Sequence, residues 1–313
     1  MQGLEISKKY YEKYGLPMLK EQFPDLLPLI ACGLFGSGSE CLGFDDETSQ
    51  DHDFEPGFCI FIPSEDKVDR RTAFLLERAY AKLPKEFMGF RRSLMSPVGG
   101  ARHGVQRIDE FFTEKIGSPD GILTISQWLS LPEQSLLECT NGEIFTDDYG
   151  EISQIRERLA FYPEDIFLKK LAGQLLLMAQ SGQYNYMRCL SHGETAAAQL
   201  AVNEFVKSTI SVLFLLNRRY QPYYKWSFRA LRQLPKLSIL AELLEYLLIT
   251  DNVGDQAEEK YNVIESICSD VIDELMDQKL TQAICGDLEK HAYSVNDLIS
   301  DPEIRNLHIL AAV

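Results

Sequence analysis

Hydrophobic and polar positions follow two regimes along this chain. In the first half, apolar runs of strand length are interleaved with short amphipathic segments. Residues 4–14 and 18–23 carry apolar side chains at helical spacing and are parted by Gly15 and Pro17, so two short helices are expected. Residues 29–35 and 57–62 are apolar runs of strand length, the second closed by Pro63. Ser64 followed by Glu65 and Asp66 predicts a helix start, and residues 72–83 keep helical spacing as far as Pro84. Residues 104–108 form a further candidate strand, after which Asp109 is expected to cap an amphipathic helix over 110–116 that Gly117 ends. Short helices about Trp128 and Leu136, and a short strand at 143–145, lead to Tyr162-Pro163.

Beyond Pro163 the apolar spacing is helical throughout, over 164–180, 192–216, 223–234, 237–250 and 256–276. A strand-containing half followed by an all-helical half predicts an α+β architecture: a mixed β-sheet domain with flanking helices over residues 1–155, then an all-α helical bundle over 156–313. A cleft between the two is the expected ligand site.

Composition narrows the class. The 313 residues are 45% apolar and 25% charged, as in an ordinary soluble globular protein. No apolar run approaches the roughly 18 residues of a membrane span, and Met1-Gln2-Gly3-Leu4-Glu5 has no basic region leading into an apolar core, so a cytoplasmic protein without a membrane partner is expected. Forty-seven acidic against 31 basic side chains leave a net charge of −16, which disfavours a broad nucleic-acid surface. Seven scattered cysteines, none at the two-residue spacing of zinc or redox motifs, are expected to be reduced and mostly buried.

The chemistry concentrates between Ile30 and Ile62. An apolar run ends in Gly36-Ser37-Gly38-Ser39, and Asp51-His52-Asp53 leads into the next run. Glycine lets backbone N–H groups approach an anion closely and serine adds a hydroxyl donor, so the turn can hold phosphate. Two aspartates one residue apart on an extended chain share a face, with His52 on the other, and can hold Mg²⁺ or Mn²⁺.

This arrangement resembles the polymerase-β-like nucleotidyltransferase superfamily, whose signature is a Gly-Ser turn followed by a metal-binding Asp-x-Asp. Gly38-Ser39 fits that turn better than Gly36-Ser37, and eleven residues separate Ser39 from Asp51. The string from Gly38 to Glu47, with Asp51-His52-Asp53-Phe54, looks like a bacterial branch known as domain of unknown function 4037. Trp128-Leu129 with Leu131-Pro132-Glu133, Asn141-Gly142-Glu143, Tyr162-Pro163-Glu164-Asp165, Gly182 to Tyr186, and Asn217-Arg218-Arg219-Tyr220 agree with it. The resemblance implies a nucleotidyltransferase-like fold and Mg-dependent transfer of an NMP group from an NTP to a small-molecule or protein acceptor, with Asp51 and Asp53 as metal ligands and catalytic residues and Gly38 and Ser39 on the phosphates. It also implies a third carboxylate on a later strand, and residues 104–108 contain none. A base from the helical domain, or a non-catalytic nucleotide-binding or regulatory protein on the same fold, are the two readings this departure leaves. The His-Asp phosphohydrolase pattern, which would use His52 with His103, His192, His291 or His308, belongs on helices and fits this segment poorly.

Four further features are candidates. The run from Arg218 to Lys236 has six basic residues and no acid, with Lys225, Arg229 and Arg232 on one helical face and Lys236 near its end, suited to a triphosphate or an anionic acceptor. Tyr184 and Arg188, with Gln183, Asn185 and Tyr186, are expected in a loop between long helices that could recognise a nucleotide. Glu194, expected in a first helical turn, is the candidate general base. Of Lys169 and Lys170, one is expected to face the cleft and the other solvent.

Overall fold

The structure, a computed structural model, describes residues 2–46, 55–92 and 103–313. Asp51, His52 and Asp53 lie outside the described residues. In chain order the elements are α1 (Gly3–Tyr10), a π-helical turn (Tyr11–Gly15), α2 (Leu16–Gln22), β1 (Ala31–Leu34), β2 (Cys59–Ile62), α3 (Arg70–Ala81), β3 (Glu86–Phe87), β4 (Phe90–Arg91), β5 (Gly104–Arg107), α4 (Ile108–Ile116), α5 (Ile125–Ser130), α6 (Glu133–Thr140), β6 (Glu143–Asp147) and α7 (Glu151–Arg158). They continue as α8 (Glu164–Met178), a π-helical segment (Ala179–Tyr186), α9 (Met187–Ser191), α10 (Thr195–Leu216), α11 (Tyr224–Leu231), α12 (Leu240–Ile249), α13 (Asp255–Asp277), α14 (Leu288–Asp297) and α15 (Pro302–Arg305). The chain divides into two compact units, Met1–Leu123 with Ser135–Ala160, and Thr124–Gln134 with Phe161–Val313. The segment 124–134 thus groups with the helical unit although it precedes β6 in sequence.

The first unit is built on a four-stranded mixed sheet in the order β5-β2-β1-β6. β1 runs antiparallel to both neighbours, in register Gly33↔Cys59 with β2 and Leu34↔Glu143 with β6. β2 and β5 are parallel, which requires a crossover, and α3 lies on that connection. Every residue of β1 and β2 is buried, because both faces of the sheet are covered. Cys32, Ile60 and Ile62 point to one side, into a core with Tyr10, Tyr11, Leu19, Leu76 and Tyr80. Phe61 points to the other, where it stacks on Phe35 at 4.4 Å and meets Phe111 of α4 at 5.5 Å. The Tyr80 hydroxyl donates to the Phe58 carbonyl at 2.8 Å and accepts from the Phe58 N–H at 3.0 Å, fixing the entry to β2.

Several local expectations change. Gly15 and Pro17 do not divide the N-terminal helix: a π-helical turn, in which the Leu16 N–H bonds back to Tyr11 O, carries the chain into α2 with Pro17 in its first turn. The start of α3 is not Ser64, whose hydroxyl is taken by Asp66, but Asp69, which accepts from the Thr72 N–H at 2.7 Å. Asp109 is not the cap of α4; Arg107 occupies that position and Asp109 lies in the first turn, where its charge meets the positive end of the helix dipole. All seven cysteines are free thiols; Cys32, Cys41, Cys59, Cys139 and Cys268 are buried.

In the second unit α8 packs against α5, α10, α14 and α15 and is buried on nearly all sides. α10, at 22 residues, is long and apolar enough to cross a membrane by length and composition alone, and 61% of its most apolar window is buried within the protein. The encirclement of α8 overturns the expectation for Lys169 and Lys170, because both are buried. Lys169 Nζ donates to Asn296 Oδ1 at 2.9 Å, Leu307 O at 2.6 Å and Arg305 O at 3.2 Å, while Lys170 donates to Leu129 O and Ala312 O. The expected loop at 181–188 is helical: the π-helical segment continues α8 directly into α9. It is held because the Tyr186 hydroxyl, buried, bonds to Asn252 and the Ala257 carbonyl, and Gln183 bonds to Glu265, Gly286 and the Leu288 N–H.

Candidate functional site

The glycine-serine turn leaves the C-terminal end of β1 in the first unit. Gly36 and Gly38 adopt φ of +115° and +128°, and Ser37, Gly38 and Ser39 are partly exposed. Among the described residues the N–H groups of Ser37, Gly38 and Ser39 have no hydrogen-bond partner, so successive donors are available to an anion. The turn is anchored from behind. Gly36 N–H donates to Asn141 Oδ1 and Asn141 Nδ2 returns a bond to Gly36 O, both at 2.8 Å. Asn141 keeps that place because Gly142, at φ +62°, packs directly against the Leu34 carbonyl and donates its N–H to Cys41 O at 2.9 Å.

Three charged side chains that sequence reading passed over stand beside the turn. Lys115, from the last turn of α4, places Nζ 2.7 Å from Glu138 Oε2 and 3.1 Å from Ser37 Oγ, and Ser37 Oγ donates to the same carboxylate oxygen at 2.8 Å. Arg156 of α7 lays its guanidinium over Phe35 at 4.9 Å and donates through Nη2 to Thr140 O and Asn141 O at 2.6 and 2.7 Å. Among the described residues its buried Nη1 has no hydrogen-bond partner, and burial lowers the guanidinium pKa. The Cys139 thiol, pushed up to about 12 chiefly by burial, feels Lys115, Glu138 and Arg156, so these charges share one neighbourhood.

The register Gly33↔Cys59 brings the start of β2 to the turn's end of the sheet, and the parallel β5 brings His103 there, 3.5 Å from Glu55. Glu40, 7% exposed, packs its carboxylate against Gly38. The Cys59 thiol, pushed up to about 12 by burial with help from Cys32 and Glu40, accepts from Gln106 Nε2 at 3.6 Å. β5 thus offers an amide beside Cys59, and no strand acid. Among the described residues no group of three or more His, Cys, Asp or Glu is placed to hold a metal ion.

A Cβ on Gly38 would stand 2.5 Å from Glu40 Oε1, in a φ region that L-residues avoid. Gly38→Ala is therefore expected to destabilise the protein by about 1–3 kcal/mol. Thermal unfolding measures that loss, and nucleotide binding should fall with it.

The remaining candidates belong to the second unit. Lys225 and Arg229 of α11 lie about the Trp226 ring, at 5.0 and 5.8 Å. The rest of that basic run is largely neutralised: Arg218 forms a bidentate pair with Glu164 and stacks 3.5 Å from Phe167, Arg232 pairs with Glu245, and Lys236 with Glu274. Arg188 lies over the exposed Tyr184 ring at 4.9 Å. Glu194 is exposed at the N-cap of α10 and makes no side-chain capping bond. His291 is buried between Thr281 and the Cys285 carbonyl, a structural position.

Three of the strings that carried the resemblance, at Trp128 to Glu133, Tyr162 to Asp165 and Asn217 to Tyr220, meet in this unit's core, whereas Asn141-Gly142-Glu143 belongs to the first unit. Trp128 meets Tyr162 edge-on at 5.9 Å, Tyr162 meets Tyr220 at 5.0 Å, and Glu133 Oε2 accepts from the Gln221 N–H at 2.8 Å. Burial raises the Glu133 pKa and lowers that of Lys170, whose ammonium lies 5.2 Å from the Tyr162 ring.

Residues 128–227 match the family model described as a domain of unknown function, DUF4037. Among solved structures the chain is similar to a nucleotidyltransferase-like protein from Exiguobacterium sibiricum, at 10% identity and a TM-score of 0.38, over 90% of this chain and 79% of that one. No curated protein matches it in sequence.

Proposed function

We propose that this protein is a metal-dependent nucleotidyltransferase. The observation that supports the reading most is the turn after β1, where the N–H groups of Ser37, Gly38 and Ser39 are unpaired among the described residues and the Ser37 hydroxyl lies 3.1 Å from the Lys115 ammonium. Donors of that kind suit the phosphates of a nucleoside triphosphate. The hydroxyl oxygen of an acceptor would attack the α-phosphorus as its proton passes to solvent, the bond to the bridging oxygen would break, and pyrophosphate would leave with that electron pair. Asp51 and Asp53 are assigned the Mg²⁺ or Mn²⁺ ion on their chemistry and spacing in the sequence. When bound, such an ion neutralises phosphate charge and polarises the reacting oxygens. The chain's own turn orients the phosphate tail, and Asn141 and Gly142 keep it in place.

The absence of an acid from β5 favours one second reading, nucleotide binding without transfer. Incubation with α-labelled nucleoside triphosphates, Mg²⁺ or Mn²⁺, and a cell extract separates the two. Label transfer with pyrophosphate release is expected. Nucleotide binding with neither product under any condition would sink the transferase.

A further inference from the structure

The Lys115–Ser37–Glu138 triad has a chemistry of its own. One carboxylate oxygen, Glu138 Oε2, accepts from both the Lys115 ammonium and the Ser37 hydroxyl. The Ser37 hydroxyl belongs to the turn itself, and the Lys115 ammonium contacts it at 3.1 Å. The pair is largely but not wholly withdrawn from solvent, with side-chain exposures of 19% for Lys115 and 13% for Glu138. Glu138 therefore occupies, as an internal anion, donors that an incoming phosphate oxygen would use. A charge-assisted bond inside a partly desolvated site is strong, so exchanging one anion for another costs little, whereas leaving Lys115 without any anion costs much. The Nη1 of Arg156, buried and without a hydrogen-bond partner among the described residues, is a further donor in the same neighbourhood.

We propose that Lys115 is the cation of a polyphosphate site at this turn, and that Glu138 is its resident counter-anion, displaced when the phosphate tail of a nucleoside triphosphate binds. The assignment rests on the reading of the turn as a phosphate site. It places side-chain recognition on Ser37, not Ser39, and gives both partners opposite effects on affinity. Removing Lys115 deletes the ligand's ion-pair partner. Neutralising Glu138 removes the ligand's competitor.

Isothermal titration of the full chain with inorganic triphosphate and with nucleoside triphosphate, at constant Mg²⁺, tests this. Lys115→Met is expected to weaken both at least about 10-fold, Lys115→Arg to restore part of that loss, and Glu138→Gln to tighten binding several-fold. Melting curves of the same variants identify any that fail to fold. If the triad were only a structural strut, Lys115→Met and Glu138→Gln would lower the melting temperature together and weaken binding alike, which overturns the proposal. Unchanged affinity in a folded Lys115→Met protein also overturns it, while leaving the transferase reading intact. Wild-type protein that binds neither polyphosphate overturns both. Binding that responds as expected, in a protein that never transfers label, sinks transfer and leaves the Lys115 assignment standing.

Discussion

Lys169→Met is expected to lower the free energy of unfolding by about 2–4 kcal/mol. The Lys169 side chain is fully buried and its ammonium serves three acceptors. Methionine fills a similar volume but donates nothing. Arg305 O keeps a bond from Asn296 Nδ2, whereas Asn296 Oδ1 and Leu307 O lose the ammonium they accept from. Each stranded acceptor costs about 1–3 kcal/mol. Burial also lowers the Lys169 pKa, which gives the loss a pH signature. Because the folded pKa is depressed, the unfolded chain binds the proton more readily between that value and 10.5, so wild-type stability from this group rises with pH across the window and is lost as pH falls through the folded pKa. The gap between wild type and Lys169→Met should therefore widen from neutral pH toward pH 10. Denaturant titrations at two pH values measure it; a gap that narrows on raising the pH would contradict the direction.

The second large effect falls on activity. Under the proposed reaction, Asp51→Asn and Asp53→Asn are each expected to cut label transfer about 1,000-fold, while the melting temperature of the protein stays near that of the wild type. An amide keeps the shape of the carboxylate but not its charge, and several kcal/mol of metal-borne charge stabilisation depend on that charge. At about 1.4 kcal/mol per decade, some 4 kcal/mol corresponds to that factor. Radiolabel transfer at saturating nucleotide, with pyrophosphate release measured in parallel, reads the loss. Retention of near wild-type transfer by both variants would remove these aspartates from the chemistry.

Much of the architecture was legible because its signals are local. β1 and β2 are continuous apolar runs ended by Gly36 and Pro63, and that pattern suits a sheet covered on both faces. The helices beyond Pro163 keep one spacing for many turns, so α8, α10 and α13 were placed to within a few residues. The hairpin of β3 and β4 escaped notice because strands of two residues carry no period. The π-helical segment at Ala179–Tyr186 escaped for another reason: its glycine, serine and amides read as a loop, and only bonds from Gln183 and Tyr186 to distant elements keep it helical. Lys169 and Lys170, adjacent on a helix, point about 100° apart, so one buried face cannot hold both. Their joint burial follows from helices packed around α8, which periodicity within α8 does not reveal.

The candidate site divides in the same way. The glycine-serine turn was visible because positive φ and close backbone approach are properties of glycine itself, present wherever the residue stands. Lys115 had no such signal: at the end of an amphipathic helix it looks like any cation favoured by the helix dipole. The sequence by itself determined the division into a strand-bearing and a helical part, the turn, and the residue types able to meet phosphate and metal. Only the tertiary structure decided which charges stand beside that turn, because Ser37 meets Lys115 across 78 residues and Glu138 across 101. Spacing along a chain encodes which face a side chain occupies, but its partner is chosen by packing between elements that the spacing does not connect.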